Sequence, residues 1–224
     1  MSPAFIFDLD GTLVDTAPDL LNALNRLLAR EGRGLIDGQK IRHLVGRGAK
    51  VLIEKAFAET GVPVEGDELD QLFADYLEFY AACVAVDSRP YPGVVETLTR
   101  LQAAGAKMAV LTNKPHHLAE AILPAYNLVK FFPVVYGAGK RDYMKPDPRL
   151  IDEVLADLGA DKSKAVMVGD SITDVQTAHN AGIPAILLPY GYTPDPVGTL
   201  GADVLVQGFA EVPAAAAALW AARS

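Results

Sequence analysis

Short apolar runs recur along the chain, and each ends at Gly, Asp, Thr or Pro. They span residues 4–7, 107–111, 133–136, 165–168, 185–188 and 203–206. Runs that are apolar on both faces suit strands buried within a parallel sheet. Segments of helical period lie between most of them. Val94, Leu98, Leu101 and Ala104 share one face, and Leu150, Ile151, Val154, Leu155 and Leu158 share another. Val175, Ala178 and Ala181 follow Asp174 in the same way. Strands alternating with helices predict an α/β fold, a parallel sheet with helices on both faces. Sites in such sheets lie at the carboxyl ends of the strands.

One region breaks the alternation. Residues 16–86 carry helical patterns and no convincing strand. Leu20, Leu21, Leu24, Leu27 and Leu28 fall at helical spacing within residues 17–30, with Pro18 tolerated in the first turn. Residues 41–44, 49–59 and 68–84 continue the helical reading, broken by glycines at 32–34, 46–48 and 61–66. An all-helical insertion at residues 16–87, returning near Arg89-Pro90-Tyr91-Pro92-Gly93, would leave residues 1–15 and 88–224 as a discontinuous core.

Composition narrows the function classes. The 224 residues carry 28 acids against 20 bases, a net charge of −8. That balance excludes sequence-independent nucleic-acid binding and an anionic membrane surface, both of which need clustered Lys and Arg. The single cysteine, Cys83, excludes a disulfide framework within the chain. The chain opens Met-Ser-Pro-Ala-Phe-Ile-Phe, without a basic n-region or a long apolar stretch, so the expected location is the cytoplasm. The acid excess also looks unfavourable for a phosphate-bearing substrate.

The candidate chemistry sits where the strands end. The first strand runs into Asp8-Leu9-Asp10-Gly11-Thr12-Leu13. Two carboxylates converging at a strand end repel unless they share a proton or a cation, and hard cations such as Mg²⁺ take oxygen ligands. The plain alternative is a loop with Asx-type turns. A second group, Gly169-Asp170-Ser171-Ile172-Thr173-Asp174, follows the strand at 165–168. Ser171 could cap the next helix, but a cap does not explain Asp170 before it. The third strand end is Leu111-Thr112-Asn113-Lys114, whose hydroxyl and amide can donate to phosphate oxygens. Last comes Met144-Lys145-Pro146-Asp147-Pro148, where the prolines restrain the backbone around Lys145.

Taken together and in this chain order, the four elements resemble the four motifs of the haloacid dehalogenase-like phosphohydrolase superfamily. The resemblance covers the whole chain and implies a Rossmann-like core with a small helical cap. It implies that Asp8 is the nucleophile that forms an aspartyl-phosphate and that Asp10 is the general acid and base. Asp8, the backbone carbonyl of Asp10 and Asp170 would hold Mg²⁺, with Asp174 in support. Thr112, Asn113 and the Gly11 amide would bind phosphoryl oxygens. Lys145 would balance charge on nucleophile and phosphate, with Lys140 a nearby rival. Asp10 favours phosphate over carbon–halogen chemistry, because the dehalogenases of the superfamily lack this second carboxylate. The imported cation also removes the objection raised by the net charge.

The insertion should carry specificity. Its best candidate is Val45-Gly46-Arg47-Gly48-Ala49-Lys50, in which glycines let backbone amides approach an anion and Arg47 could pair with a carboxylate. The stretch from Gly48 to Ala56 is similar to the cap segment of bacterial phosphoglycolate phosphatases. Tyr91-Pro92-Gly93-Val94, Thr112-Asn113-Lys114-Pro115 and Tyr190-Gly191-Tyr192 are similar to their core segments. The expectation is a monomer or homodimer acting on a small phosphate ester, 2-phosphoglycolate first. Sugar phosphates, pyrophosphate and phosphoryl transfer as in a phosphomutase are the alternatives. Lys40, Lys50 and Lys55 do not lie in a segment typical of Schiff-base phosphonatases. A non-catalytic protein on this fold would be expected to lose Asp8, Asp10, Lys145 or Asp170, and all are present. His116 and His117 read as a helix start, Cys83 as a packed thiol and Trp220 as the anchor of the Ala-rich tail.

Overall fold

In a computed structural model, residues 2–38, 40–45 and 48–223 are described, without the side chains of Arg42 and His43. Six parallel strands form the central sheet: β1 (Ala4–Phe7), β4 (Lys107–Pro115), β5 (Val134–Ala138), β6 (Ala165–Gly169), β7 (Ala185–Leu187) and β8 (Val204–Leu205). Their order across the sheet is β5-β4-β1-β6-β7-β8. The first strand therefore sits in the middle, flanked by β4 and β6, with Phe7 in register with Val110 and Val168.

Side-chain alternation along β1 explains the two cores. Phe5 and Phe7 point to one face and pack with Val94 and Leu98 of helix α5 (Val94–Ala103) and with Val212 and Ala216 of helix α9 (Val212–Ala222). Ala4 and Ile6 point to the other face, against helices α7 (Arg149–Leu158) and α8 (Ile172–Asn180). Helix α6 (His116–Ile122) joins the first face through Ala119 and Ile122. Each fully buried aromatic contributes roughly 1.5–3 kcal/mol. Trp220 anchors α9 as expected, its indole N–H donating to the Ala165 carbonyl (3.2 Å) and its ring edge meeting Phe5.

Between residues 16 and 86 the described residues contain no strand. Helices α1 (Ala17–Arg30), α2 (Ile41–Leu44), α3 (Ala49–Thr60) and α4 (Gly66–Ala81) build a separate apolar cluster around Leu24, Leu27, Ile53, Phe57 and Tyr76. Helix α4 starts before the expected Glu68, with Asp67 and Glu68 in its first turn favouring the positive helix end. It stops at Ala81, so Cys83 lies in the following turn, its thiol against the Phe79 carbonyl (3.3 Å). No helix is long and apolar enough to cross a membrane among the described residues.

The junction between helices and sheet holds a feature that the residue pattern does not predict. Strand β2 (Val14–Asp15) pairs antiparallel with β3 (Arg89–Pro90), so the chain leaves and re-enters the sheet domain side by side. Two residues per strand leave no alternation to read, which is why the pattern missed them. The buried Asp19 carboxylate ties this junction together, accepting from the backbone N–H of Asp87 (2.8 Å) and Ser88 (2.9 Å) and from the Ser88 hydroxyl (2.5 Å). Tyr192 adds a second tie, accepting from the N–H of Thr16 (2.6 Å) and Ala17 (2.9 Å) while donating to Asp15 (2.7 Å).

Candidate active site

Adjacent strands β4, β1 and β6 end at one cavity. Asp8 follows β1, Asp170 follows β6, and Thr112, Asn113 and Lys114 occupy the last residues of β4. The strand continues to Pro115 with an irregularity after Leu111, where the sequence places the strand end. The cavity measures about 60 Å³ and is also lined by Lys145, Ser171 and, from the helical side, Leu20, Gly48, Leu52, Tyr76 and Tyr80. That is far below the ~300–1,000 Å³ of drug-sized sites, so only a small molecule fits.

Asp8, Asp170 and Asp174 each place a carboxylate oxygen within 4.8 Å of the others. Their closeness is sustained by a dense set of donors. Lys145 reaches Asp174 at 2.6 Å and Asp8 at 3.1 Å. The Leu9 N–H donates to Asp8 (2.7 Å), while the Thr12 hydroxyl (2.9 Å) and the Tyr192 N–H (2.7 Å) donate to Asp170. One oxygen of Asp174 takes the N–H groups of Asp170 and Ser171 and the Ser171 hydroxyl, and the other takes Lys145. Asp174 is thus occupied by protein donors, and its position makes it a support for the Asp170 turn and for Lys145. The donor set around Asp8 and Asp170 is all oxygen, which suits a hard divalent cation.

Glycine makes this packing possible. Gly11 adopts φ +83°, and a Cβ there would stand 2.6 Å from an Asp170 oxygen. At Gly191 an added Cβ would stand 2.1 Å from the same oxygen.

The electrostatics follow from burial. Desolvation pushes the Asp8 carboxyl up to about 6, and Asp174 and Asp10 add to the rise against the pull of Lys145. Asp170 is raised well above the ordinary range by burial and then by Asp174 and Asp8. For Lys145, burial favours the neutral amine, but Asp174 and Asp8 outweigh it and hold the ammonium. Three crowded carboxylates and one lysine make a site short of positive charge, which a divalent cation would correct.

The structure brings most of the expected residues together and sorts their tasks. Asp10 is not among the three clustered carboxylates. Its side chain accepts from Thr16 (2.8 Å) and from Lys114 (3.0 and 3.2 Å). Asn113 differs from the expectation of a free phosphate donor, because both ends of its amide are engaged with the Lys145 backbone, at 3.1 and 3.0 Å. Thr112 lines the cavity with its hydroxyl accepting from the Lys114 N–H. Lys140 lies away from the cavity, donating to the Val135 carbonyl and resting over the Tyr136 ring. Gly48 precedes α3 at φ +91° and lines the cavity, whereas Arg47 lies outside the described residues. Lys114, Thr16, Tyr80 and Tyr192 also serve the site, and the sequence pattern alone does not single them out. Lys114 stood inside a recognised motif, but its partner Asp10 is remote in sequence.

A sheet of this topology with a carboxylate nucleophile candidate at its central strand and a lysine between two acids defines a hydrolase class. The chain belongs to the haloacid dehalogenase-like hydrolase family, whose model matches residues 5–188. It is 47% identical to the phosphoglycolate phosphatase of Caulobacter vibrioides over 93% of this chain and 88% of the relative. It is 40% identical to that of Agrobacterium fabrum, over 94% and 90%. A crystal structure of a predicted phosphoglycolate phosphatase from Haemophilus somnus superposes with a TM-score of 0.88 at 30% identity, over 96% of this chain and 97% of that one. The protein is a phosphatase, a phosphoric monoester hydrolase of this family.

Proposed function

We propose that the protein hydrolyses 2-phosphoglycolate to glycolate and phosphate through an aspartyl-phosphate on Asp8, with Mg²⁺ as cofactor. The observation that carries this is the cluster of Asp8, Asp170 and Asp174 around Lys145 at the ends of β1 and β6. The names of the relatives support the substrate. Residues 16–87 act as a cap over a core of residues 1–15 and 88–224.

Asp8, Asp170 and the backbone carbonyl of Asp10 would hold the ion, which when bound offsets charge on the nucleophile and the phosphoryl oxygens. An Asp8 oxygen attacks phosphorus, and the bond from phosphorus to the ester oxygen breaks. Asp10 supplies a proton to the departing glycolate oxygen. Water then attacks phosphorus, gives its proton to Asp10 and releases Asp8 and inorganic phosphate. General acid–base help of this kind is worth ~10²–10⁴-fold. Lys145 keeps the Asp8 carboxylate and the dianionic ester from repelling one another, the Thr112 hydroxyl steadies the phosphoryl group, and Asn113 fixes the Lys145 loop; the Gly11 N–H, expected to bind phosphate, donates instead to the Val14 carbonyl (3.0 Å). Phosphoryl transfer needs mainly this positioning and charge balance.

The test is a panel of small phosphate esters assayed with Mg²⁺ and then with EDTA, alongside Asp8→Asn. The expected result is a clear preference for 2-phosphoglycolate, loss of turnover in EDTA and no turnover in the variant. A preference for a sugar phosphate or pyrophosphate would overturn the substrate, and an active Asp8→Asn would overturn the mechanism.

A further inference from the structure

Lys114 is a buried ammonium, 5% exposed, that the phosphoryl chemistry leaves without a task. It faces both oxygens of Asp10, and it donates to the Tyr80 hydroxyl of α4 at 2.5 Å, lying 4.3 Å from that ring's centre. Tyr76 stacks parallel to Tyr80 at 6.1 Å, and its buried hydroxyl has no hydrogen-bond partner among the described residues. Burial, and after it the charge of Asp10, holds both phenols protonated, so both remain donors. All three residues line the cavity.

The cavity is chemically divided. Among its described lining residues the positive side chains are Lys145 and Lys114. Lys145 is held between Asp8 and Asp174, at the end where phosphorus is attacked. The rest of the helical wall is apolar, built from Leu20, Val45, Leu52 and Leu77. A buried donor without an acceptor costs free energy until a ligand supplies one. A site with such donors rejects a ligand that lacks the matching group far more strongly than an apolar pocket would.

We propose that Lys114, together with the Tyr76 and Tyr80 hydroxyls, seats the carboxylate of the substrate and so selects phosphate esters that carry an acid group close to the ester. Lys114 is then a specificity-determining residue, shared between Asp10 and the substrate. This assignment rests on the phosphoglycolate reading. It also explains why a cation stands where strand β4 meets helix α4, between Asp10 and Tyr80.

The experiment compares kcat/KM for 2-phosphoglycolate with that for ethyl phosphate, the same ester with a methyl group in place of the carboxylate. Wild type is expected to prefer phosphoglycolate. In Lys114→Met the preference should shrink roughly tenfold to hundredfold, mainly through KM for phosphoglycolate. Tyr76→Phe and Tyr80→Phe, which keep the rings and carry the test if Lys114→Met does not fold, should each shrink it several-fold. An equal loss on both substrates would overturn the proposal and leave Lys114 acting through Asp10 alone. A wild type indifferent to the carboxylate would overturn the substrate reading and this inference with it.

Discussion

The Asp8→Asn substitution should stabilise the metal-free protein. Asp8 sits buried at the end of the central strand, and its carboxyl titrates at about 6 against 3.8 for an ordinary aspartate, first because of burial and then because of Asp174 and Asp10. Between those two values the folded state binds the proton and the unfolded chain does not. Stability on this account is greatest below about 3.8, falls as pH rises towards 6, and stays lowered above it. At ~1.4 kcal/mol per pH unit the gap amounts to about 3 kcal/mol. Asparagine resembles the protonated acid and escapes that cost, although it weakens the contact with Lys145, which still keeps Asp174. In EDTA at pH 8 the variant should therefore melt up to ~6–12 °C above wild type, at ~2–4 °C per kcal/mol for a chain of this size. At pH 4 the two should melt together. Added Mg²⁺ should narrow the gap at pH 8, because it binds the ionised carboxylates of wild type. Calorimetry or dye-monitored melting from pH 4 to 8 measures all of this. Coincident melting at pH 8 in EDTA would refute the reasoning, as would a gap that does not grow with pH.

Two further substitutions probe the support of the site. Gly191→Ala would drive a Cβ to 2.1 Å from an Asp170 oxygen, so Asp170 or its loop must shift. The Mg²⁺ concentration giving half-maximal activity should rise at least ~10-fold, a typical effect of disturbing a ligand's surroundings, and an unchanged requirement would refute it. Tyr192→Phe removes an acceptor shared by the Thr16 and Ala17 N–H groups at the start of α1 and frees Asp15 of a donor. Leaving the two N–H groups unmet costs about 1–3 kcal/mol, which thermal melting would record as a drop of several degrees. An unaltered Tm would show that the hydroxyl is dispensable.

Local pattern accounts for most of the architecture and for the core of the site. Apolar runs fully buried between neighbours cannot be mistaken for surface, so β1, β4, β6 and β7 were legible to within a few residues, and α1 was read to its ends. Asp8 and Asp170 were legible because each follows a buried strand and four such strand-end elements together are poorly explained as ordinary turns. The sequence by itself thus determined the alternation of elements, the helical insertion and the identity of the acids at the strand ends. Only the tertiary structure decided how their side chains are shared out. It turned Asp10 from the carboxylate cluster towards Thr16 and Lys114, engaged Asn113 with the Lys145 backbone, and left Lys140 outside the cavity. It also created the β2–β3 pairing and the ties of Asp19 and Tyr192 across the junction. The physical reason is range: periodicity reports which face of an element is buried. A hydrogen bond between Lys114 and Asp10, or between Tyr192 and Thr16, joins residues far apart in the chain, and exists only once the sheet and the helices have set their separation.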